Sequence, residues 1–231
     1  MPTNATAPTL DNDGSIPLYL TKPEGEAKAA IIVIPEIFGV NEGIARKCEQ
    51  WAAQGYLAAA PDIFWRFAPG EEYDPDIGGE FNKALDNMGK YNGDQGVRDL
   101  EAVIHFLRGE GATKVGAVGF CLGGRMAYLM ATRTDINASV GYYGVMIDQA
   151  LNESHAIANP LMLHIPTGDH FVGPEAQKAM HEGLGPNRHV TLYDYEGLDH
   201  GFAAEMGSRR DEAGAQLADQ RTREFFAEHL A

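Results

Sequence analysis

KVGAVGFCLGGR, residues 114–125, is the stretch that decides how this chain folds. An apolar run over 114–120 ends in Gly119-Phe120-Cys121-Leu122-Gly123-Gly124, and residues 122–132 have the composition of a helix. The form is G-x-C-x-G between a strand and a helix. So tight a turn crowds positions 119 and 123 against neighbouring backbone, which calls for glycine at both. Cys121 is left at the tip of the turn and at the helix N-terminus, where the dipole favours a thiolate. The backbone N–H of Leu122 then points to where an oxyanion would form. This is the nucleophile-elbow pattern with cysteine in the serine position. A small buried cysteine at a glycine-rich helix start is the plainer alternative. A dinucleotide-binding loop would need the order G-x-G-x-x-G, which is absent.

Outward from the elbow, strands are expected at 17–21, 29–34, 56–60, 138–144, 160–165 and 189–195. Helices are expected at 41–54, 95–108, 175–182 and 211–230. The run AAIIVI at 29–34 is apolar throughout, as a strand buried on both faces requires. Alternating strands and helices with no repeat or linker predict one α/β domain over 1–231. It would be doubly wound, with a mostly parallel central sheet and helices on both faces. Residues 1–14 read as a loose N-terminal extension. Residues 66–92 are acidic, rich in Gly and Pro and dotted with aromatics, and read as a cap over a site.

Composition narrows the function. With 18 Lys and Arg against 33 Asp and Glu, the formal charge is −15. That field repels phosphate, so nucleic acid and anionic membranes are poor partners. No apolar run approaches the length of a membrane span, and the N-terminus has no signal-peptide pattern. The expected location is the cytoplasm, with Cys48 and Cys121 reduced. His and Cys do not fall into zinc-ligand spacing, so no metal or cofactor is expected. A monomer or small homo-oligomer is the expected state.

A cysteine nucleophile calls for a base, and the base for an orienting acid. Of the eight histidines, His164 lies inside an apolar strand and reads as core. His200 follows a strand in Gly197-Leu198-Asp199-His200-Gly201-Phe202, a loop able to carry imidazole over the sheet. Asp169 directly follows the strand at 160–165 in Thr167-Gly168-Asp169-His170. Cys121, Asp169, His200 is the chain order of an α/β-hydrolase: nucleophile, acid, histidine. Asp199 and Asp194 are rival acids, and His170 a rival base.

IPEIFGVN (34–41), YLAAAPDIF (56–64), GFCLGGR (119–125), GYYGV (141–145), GDHFVGPEA (168–176) and YEGLDHGFA (195–203) resemble the dienelactone hydrolase family, from about residue 15 to the C-terminus. The resemblance implies an α/β-hydrolase fold and a cysteine-nucleophile hydrolase that cleaves an ester or lactone through an acyl-enzyme. It implies catalytic roles for Cys121, Asp169 and His200. Glu36 falls on the family glutamate that holds the resting thiol, and the N–H groups of Ile37 and Leu122 on the oxyanion hole. Tyr142 falls on a substrate-side tyrosine, with Phe38 and Arg125 as further substrate-binding candidates. Two family arginines that grip a substrate carboxylate have no counterpart: 67–90 holds no arginine, and Ala204 stands where the second would be. Arg66, Arg125, Arg209 and Arg210 are the candidates to replace them. Their absence favours an esterase or thioesterase acting on a neutral small substrate. A redox-sensing or non-catalytic protein on the same fold is the alternative of another class.

Overall fold

Ile31 to Ile34 are all fully buried, as a strand covered on both faces must be. They belong to β3 (Ala30–Ile34), near the middle of an eight-stranded sheet in a computed structural model that describes residues 3–27 and 29–231. The other strands are β1 (Ala5–Pro8), β2 (Ser15–Thr21), β4 (Leu57–Pro61), β5 (Val115–Phe120), β6 (Ala138–Tyr142), β7 (Leu161–Pro166) and β8 (Val190–Tyr195). Their order across the sheet is β1-β2-β4-β3-β5-β6-β7-β8. From β4 to β8 the neighbours run parallel, whereas β1 pairs antiparallel with β2 and β2 antiparallel with β4.

The helices are α1 (Glu42–Ala53), α2 (Gly78–Lys90), α3 (Gly93–Gly109), α4 (Leu122–Arg133), α5 (Pro174–Leu184) and α6 (Glu212–His229). A short 3-10 segment, Asp148–Ala156, precedes β7. Two glycines of β5 show that both faces are covered. A Cβ on Gly116 would lie 2.8 Å from Phe226 and Leu230, at the end of the chain around α6. A Cβ on Gly119 would strike the first turn of α4. The two positions differ by an odd number, so they face opposite sides of the sheet. Among the described residues no helix is long and apolar enough to cross a membrane.

Over the described residues 3–14 the N-terminal segment is not a loose extension; residues 1 and 2 lie outside the described residues. Ala5–Pro8 pairs with β2 from Ala5↔Leu18 to Pro8↔Ser15, and Ala7 is fully buried. Arg98 and Arg66 pair with Asp11 and Asp13 in the turn that follows. The four residues ATAP carry little strand signal, and an edge strand tolerates the proline because one side of it needs no ladder hydrogen bond. Residues 66–92 contain α2, whose Phe81 ring lies 6.0 Å from Phe38.

Candidate active site

The elbow forms where β5 runs into α4. Cys121 has φ 55° and ψ −115°, a conformation that costs a non-glycine residue energy and persists only when its surroundings enforce it. The enforcement is visible in its neighbours. A Cβ on Gly119 would come within 1.9 Å of the Gly123 carbonyl oxygen, and one on Gly123 within 2.3 Å of that of Ile34. Cys121 N–H donates to Tyr142 O at 3.1 Å, and Cys121 O accepts from Arg125 N at 3.1 Å. The turn is therefore pinned to the carboxyl ends of β3 and β6.

The structure brings Cys121, His200 and Asp169 together. His200 Nδ1 lies 2.9 Å from Asp169 Oδ2, with both side chains almost wholly buried. Cys121 and His200 line the same cleft, close enough that the charge on the sulfur acts on the imidazole. Asp169 Oδ1 accepts from the N–H groups of Phe171 (2.8 Å) and Val172 (3.0 Å), which fixes the carboxylate beneath the ring. Burial is the largest influence on His200 and pulls its pKa down. The charge on the Cys121 sulfur and the Asp169 carboxylate outweigh it, and the imidazole is raised to about 10.

The rival groups are engaged elsewhere. Asp199 pairs with His170 at 2.7 Å on the surface, and Asp194 pairs with His181 at 2.9 Å. His164 is core, held between the hydroxyls of Tyr195 and Thr222. Asp169, His170 and Asp199 place potential ligand atoms within 4.8 Å of one another. Both Asp169 oxygens already accept hydrogen bonds, so the trio is a hydrogen-bonded network rather than a set of donors aimed at a cation.

Glu36 follows β3 and is buried beside the elbow. Its Oε1 has no hydrogen-bond partner among the described residues, and its Oε2 lies 3.9 Å from Arg209 Nη2. No acceptor among the described residues meets the N–H of Ile37. Leu122 opens α4, so its N–H has no partner one turn earlier. Glu36, Ile37, Phe38, Cys121, His200 and Arg209 line a cleft of about 110 Å³. The α2 residues Phe81, Leu85 and Met88 line it, with Val145 and Phe171. A larger open groove at Met162, Tyr193 and Arg221 lies elsewhere and shares no residue with this cleft.

Three substrate-side expectations meet different outcomes. Phe38 lines the cleft. Arg125 does not, since its Nη1 reaches Met146 Sδ at 3.2 Å. Tyr142 is a correction: it packs in the core toward α6, with its hydroxyl 2.6 Å from Thr222 Oγ1 and 3.0 Å from Asp219 Oδ1. Its neighbour Tyr143 is the tyrosine beside the site. The Tyr143 ring lies 4.9 Å from that of His200. Burial first, then the charges of Glu36 and Cys121, raise its pKa well above the ordinary tyrosine value. Tyr142 is the last residue of β6, and Tyr143, just beyond it at φ 39°, leaves the strand and turns its ring toward His200.

Sequence reading also left Arg209 unplaced. Among the described arginines it alone lines the cleft. Arg66 is taken by Asp99 and Asp13, and Arg210 by Glu205 and Glu212.

A strand-to-helix elbow, an acid and a histidine at the carboxyl ends of a mostly parallel sheet define an α/β-hydrolase. The model of the dienelactone hydrolase family matches residues 16–230, and the chain belongs to that family of hydrolases acting on carboxylic ester bonds. It is 38% identical over 232 residues to "Putative carboxymethylenebutenolidase" of Azospirillum brasilense, covering 99% of both chains. It is 33% identical over 221 residues to "Carboxymethylenebutenolidase 1" of Cupriavidus pinatubonensis, covering 95% of this chain and 94% of the relative. Among solved structures, the "Putative Dienelactone Hydrolase" of Klebsiella pneumoniae superposes with a TM-score of 0.84 at 26% identity, covering 97% of this chain and all of that one.

Proposed function

We propose that the protein cleaves a small ester or lactone with Cys121 as nucleophile, through an acyl-enzyme. The observation that carries this reading is the buried His200–Asp169 pair, 2.9 Å apart, with His200 lining the same cleft as Cys121. The Cys121 sulfur, as thiolate paired with the His200 imidazolium, attacks the carbonyl carbon. A C–S bond forms, and the carbonyl π pair moves to oxygen, where the N–H groups of Leu122 and Ile37 stabilise the oxyanion. Collapse breaks the C–O bond, and His200 gives its proton to the leaving oxygen. Water then attacks the thioester while His200 takes its proton. The second collapse releases the acid and restores the thiolate.

Asp169 holds the imidazole in the required tautomer and stabilises its charged form. Glu36, buried at the same cleft, is assigned to holding the proton state of the resting sulfur. A redox-sensing reading has no use for the buried His200–Asp169 pair. Hydrolysis of p-nitrophenyl acetate and of dienelactone by wild type and Cys121→Ala tests the proposal. Turnover of either ester that Cys121→Ala abolishes supports it, and equal turnover in the two proteins overturns it.

A further inference from the structure

Lys47 is a lysine that the fold buries. It lies in α1 with 5% of its surface exposed. An ammonium out of water is costly unless it is paired, and hydrocarbon of similar volume often serves stability as well. Its pairing is specific. Nζ donates to Glu205 Oε1 at 3.4 Å and lies 3.9 Å from Asp219 Oδ1. It also sits over the Phe120 ring, 4.7 Å from the centroid.

These partners belong to the elements that carry the reacting groups. Phe120 is the last residue of β5 and directly precedes Cys121. Glu205 lies in the loop that runs from His200 to Arg209. Asp219 is in α6, and its Oδ1 also accepts from the Tyr142 hydroxyl at the end of β6. Glu36 and Tyr143 share a small void with Lys47 and Glu205. The loop is laid on α1 at Gly43, where a Cβ would come within 3.2 Å of Glu205 Cβ and 3.1 Å of Met206 Cγ. Gly43 and Lys47 are four residues apart and share one face of the helix. The first lets the loop close on α1, and the second holds the Glu205 carboxylate. Arg210 Nη1 grips the same carboxylate oxygen at 3.2 Å, and its Nε keeps Glu212 as a second partner at 2.8 Å. Lys47 therefore ties the strand that ends at the nucleophile to the loop that begins with the histidine.

We propose that Lys47 is a positioning residue, which through Glu205 sets how the His200 loop stands against the Cys121 elbow. The proposal rests on the hydrolase reading above and goes beyond it by naming a group on α1 outside the cleft lining. Its effect passes through the separation of sulfur and imidazole, because the mutual stabilisation of thiolate and imidazolium falls with distance.

Alkylation of Cys121 by iodoacetamide, read by peptide mass mapping from about pH 4 to 10, tests this together with p-nitrophenyl acetate kinetics and urea unfolding. The proteins are wild type, Lys47→Met, Glu205→Met and the double variant. A direct charge effect moves the alkylation inflection up in Lys47→Met and down in Glu205→Met, and leaves the double variant at wild type. A purely structural role lowers the urea midpoint and moves no inflection. Positioning moves the inflection up in all three variants by about half a pH unit or more. That is the effect of lengthening a contact of about 4 Å by about 1 Å at an effective dielectric of about 20. Positioning also lowers kcat by about tenfold or more. The double variant keeps the net charge and replaces the ion pair with hydrocarbon, an exchange that is often neutral or stabilising, so it serves even where a single variant unfolds. Opposite shifts in the single variants, or a double variant with a wild-type inflection and kcat within about twofold of wild type, overturn the proposal. Alkylation requires no turnover, so this result stands apart from the loss of ester turnover in Cys121→Ala, which reports on the hydrolase reading.

Discussion

His164 gives the fold an acid limit whose size follows from its surroundings. The imidazole is fully buried in β7, with Nδ1 2.7 Å from Tyr195 Oη and Nε2 2.9 Å from Thr222 Oγ1. Burial, and then the nearby positive charge of Arg221, lower its pKa from 6.5 to about 3. The folded chain therefore refuses a proton that the unfolded chain takes up below pH 6.5. Where the unfolded state binds more protons, stability rises with pH. This contribution is complete above pH 6.5 and is lost as the pH falls toward 3. At roughly 1.4 kcal/mol per pH unit, acidification from 7 to 4 should remove about 3 kcal/mol through this one residue. That is a large part of a domain's stability of about 5–15 kcal/mol. The assay is urea unfolding followed by circular dichroism at pH 7, 6, 5 and 4, for wild type and His164→Gln. Glutamine keeps polar atoms in the site but does not titrate. Wild type should lose about 3 kcal/mol more across that range than the variant. Parallel losses in the two proteins would refute the reasoning.

Three further outcomes follow from the same geometry. Cys48 is fully buried and burial pushes its thiol pKa far up, so a thiol reagent should modify only Cys121 in the folded protein and both cysteines in denaturant. Two fast-reacting thiols in the native state would contradict this. Asp169→Asn should lower kcat by about 10³–10⁴ by favouring the wrong imidazole tautomer. It should also lower the His200 pKa followed by imidazole NMR, because the carboxylate's hydrogen bond and charge are among the influences that raise it. Tyr142→Phe should cost about 0.5–1.5 kcal/mol of stability through its lost hydrogen bonds, with kcat within about twofold of wild type; a thermal melt and a rate assay read both.

The central sheet and the elbow were legible because local chemistry leaves few choices there. AAIIVI can be satisfied only by burial on both faces. Two glycines flanking Cys121 are required by the Gly123 and Ile34 carbonyls that a Cβ would strike. His200 and Asp169 were legible because each follows a strand, which aims both at one rim of the sheet. What the sequence hid depends on contacts made far along the chain. ATAP becomes a strand only through its register with Leu18 and Ser15, so residues 1–14 read as loose.

The tyrosine choice turned on where the strand ends. β6 ends at Tyr142, and Tyr143 enters φ 39° and turns toward His200. The alternation of side chains was available to the sequence reader, but the end of the strand was not. Arg209 has no motif around it. It reaches the cleft because the loop after His200 doubles back over Gly201 and Phe38, a path that no local propensity specifies. The loss of two arginines from the expected positions therefore does not leave the cleft without a cation.

The central claim is that the acyl group passes through the Cys121 sulfur. Rapid acid quench of wild type with p-nitrophenyl acetate, followed by peptide mass mapping, tests it most directly. The account predicts an acetyl adduct on the peptide bearing Cys121, formed with a stoichiometric burst of nitrophenolate, and neither burst nor sustained turnover in Cys121→Ala. Sustained turnover in Cys121→Ala, or an adduct that maps to another residue, would contradict it.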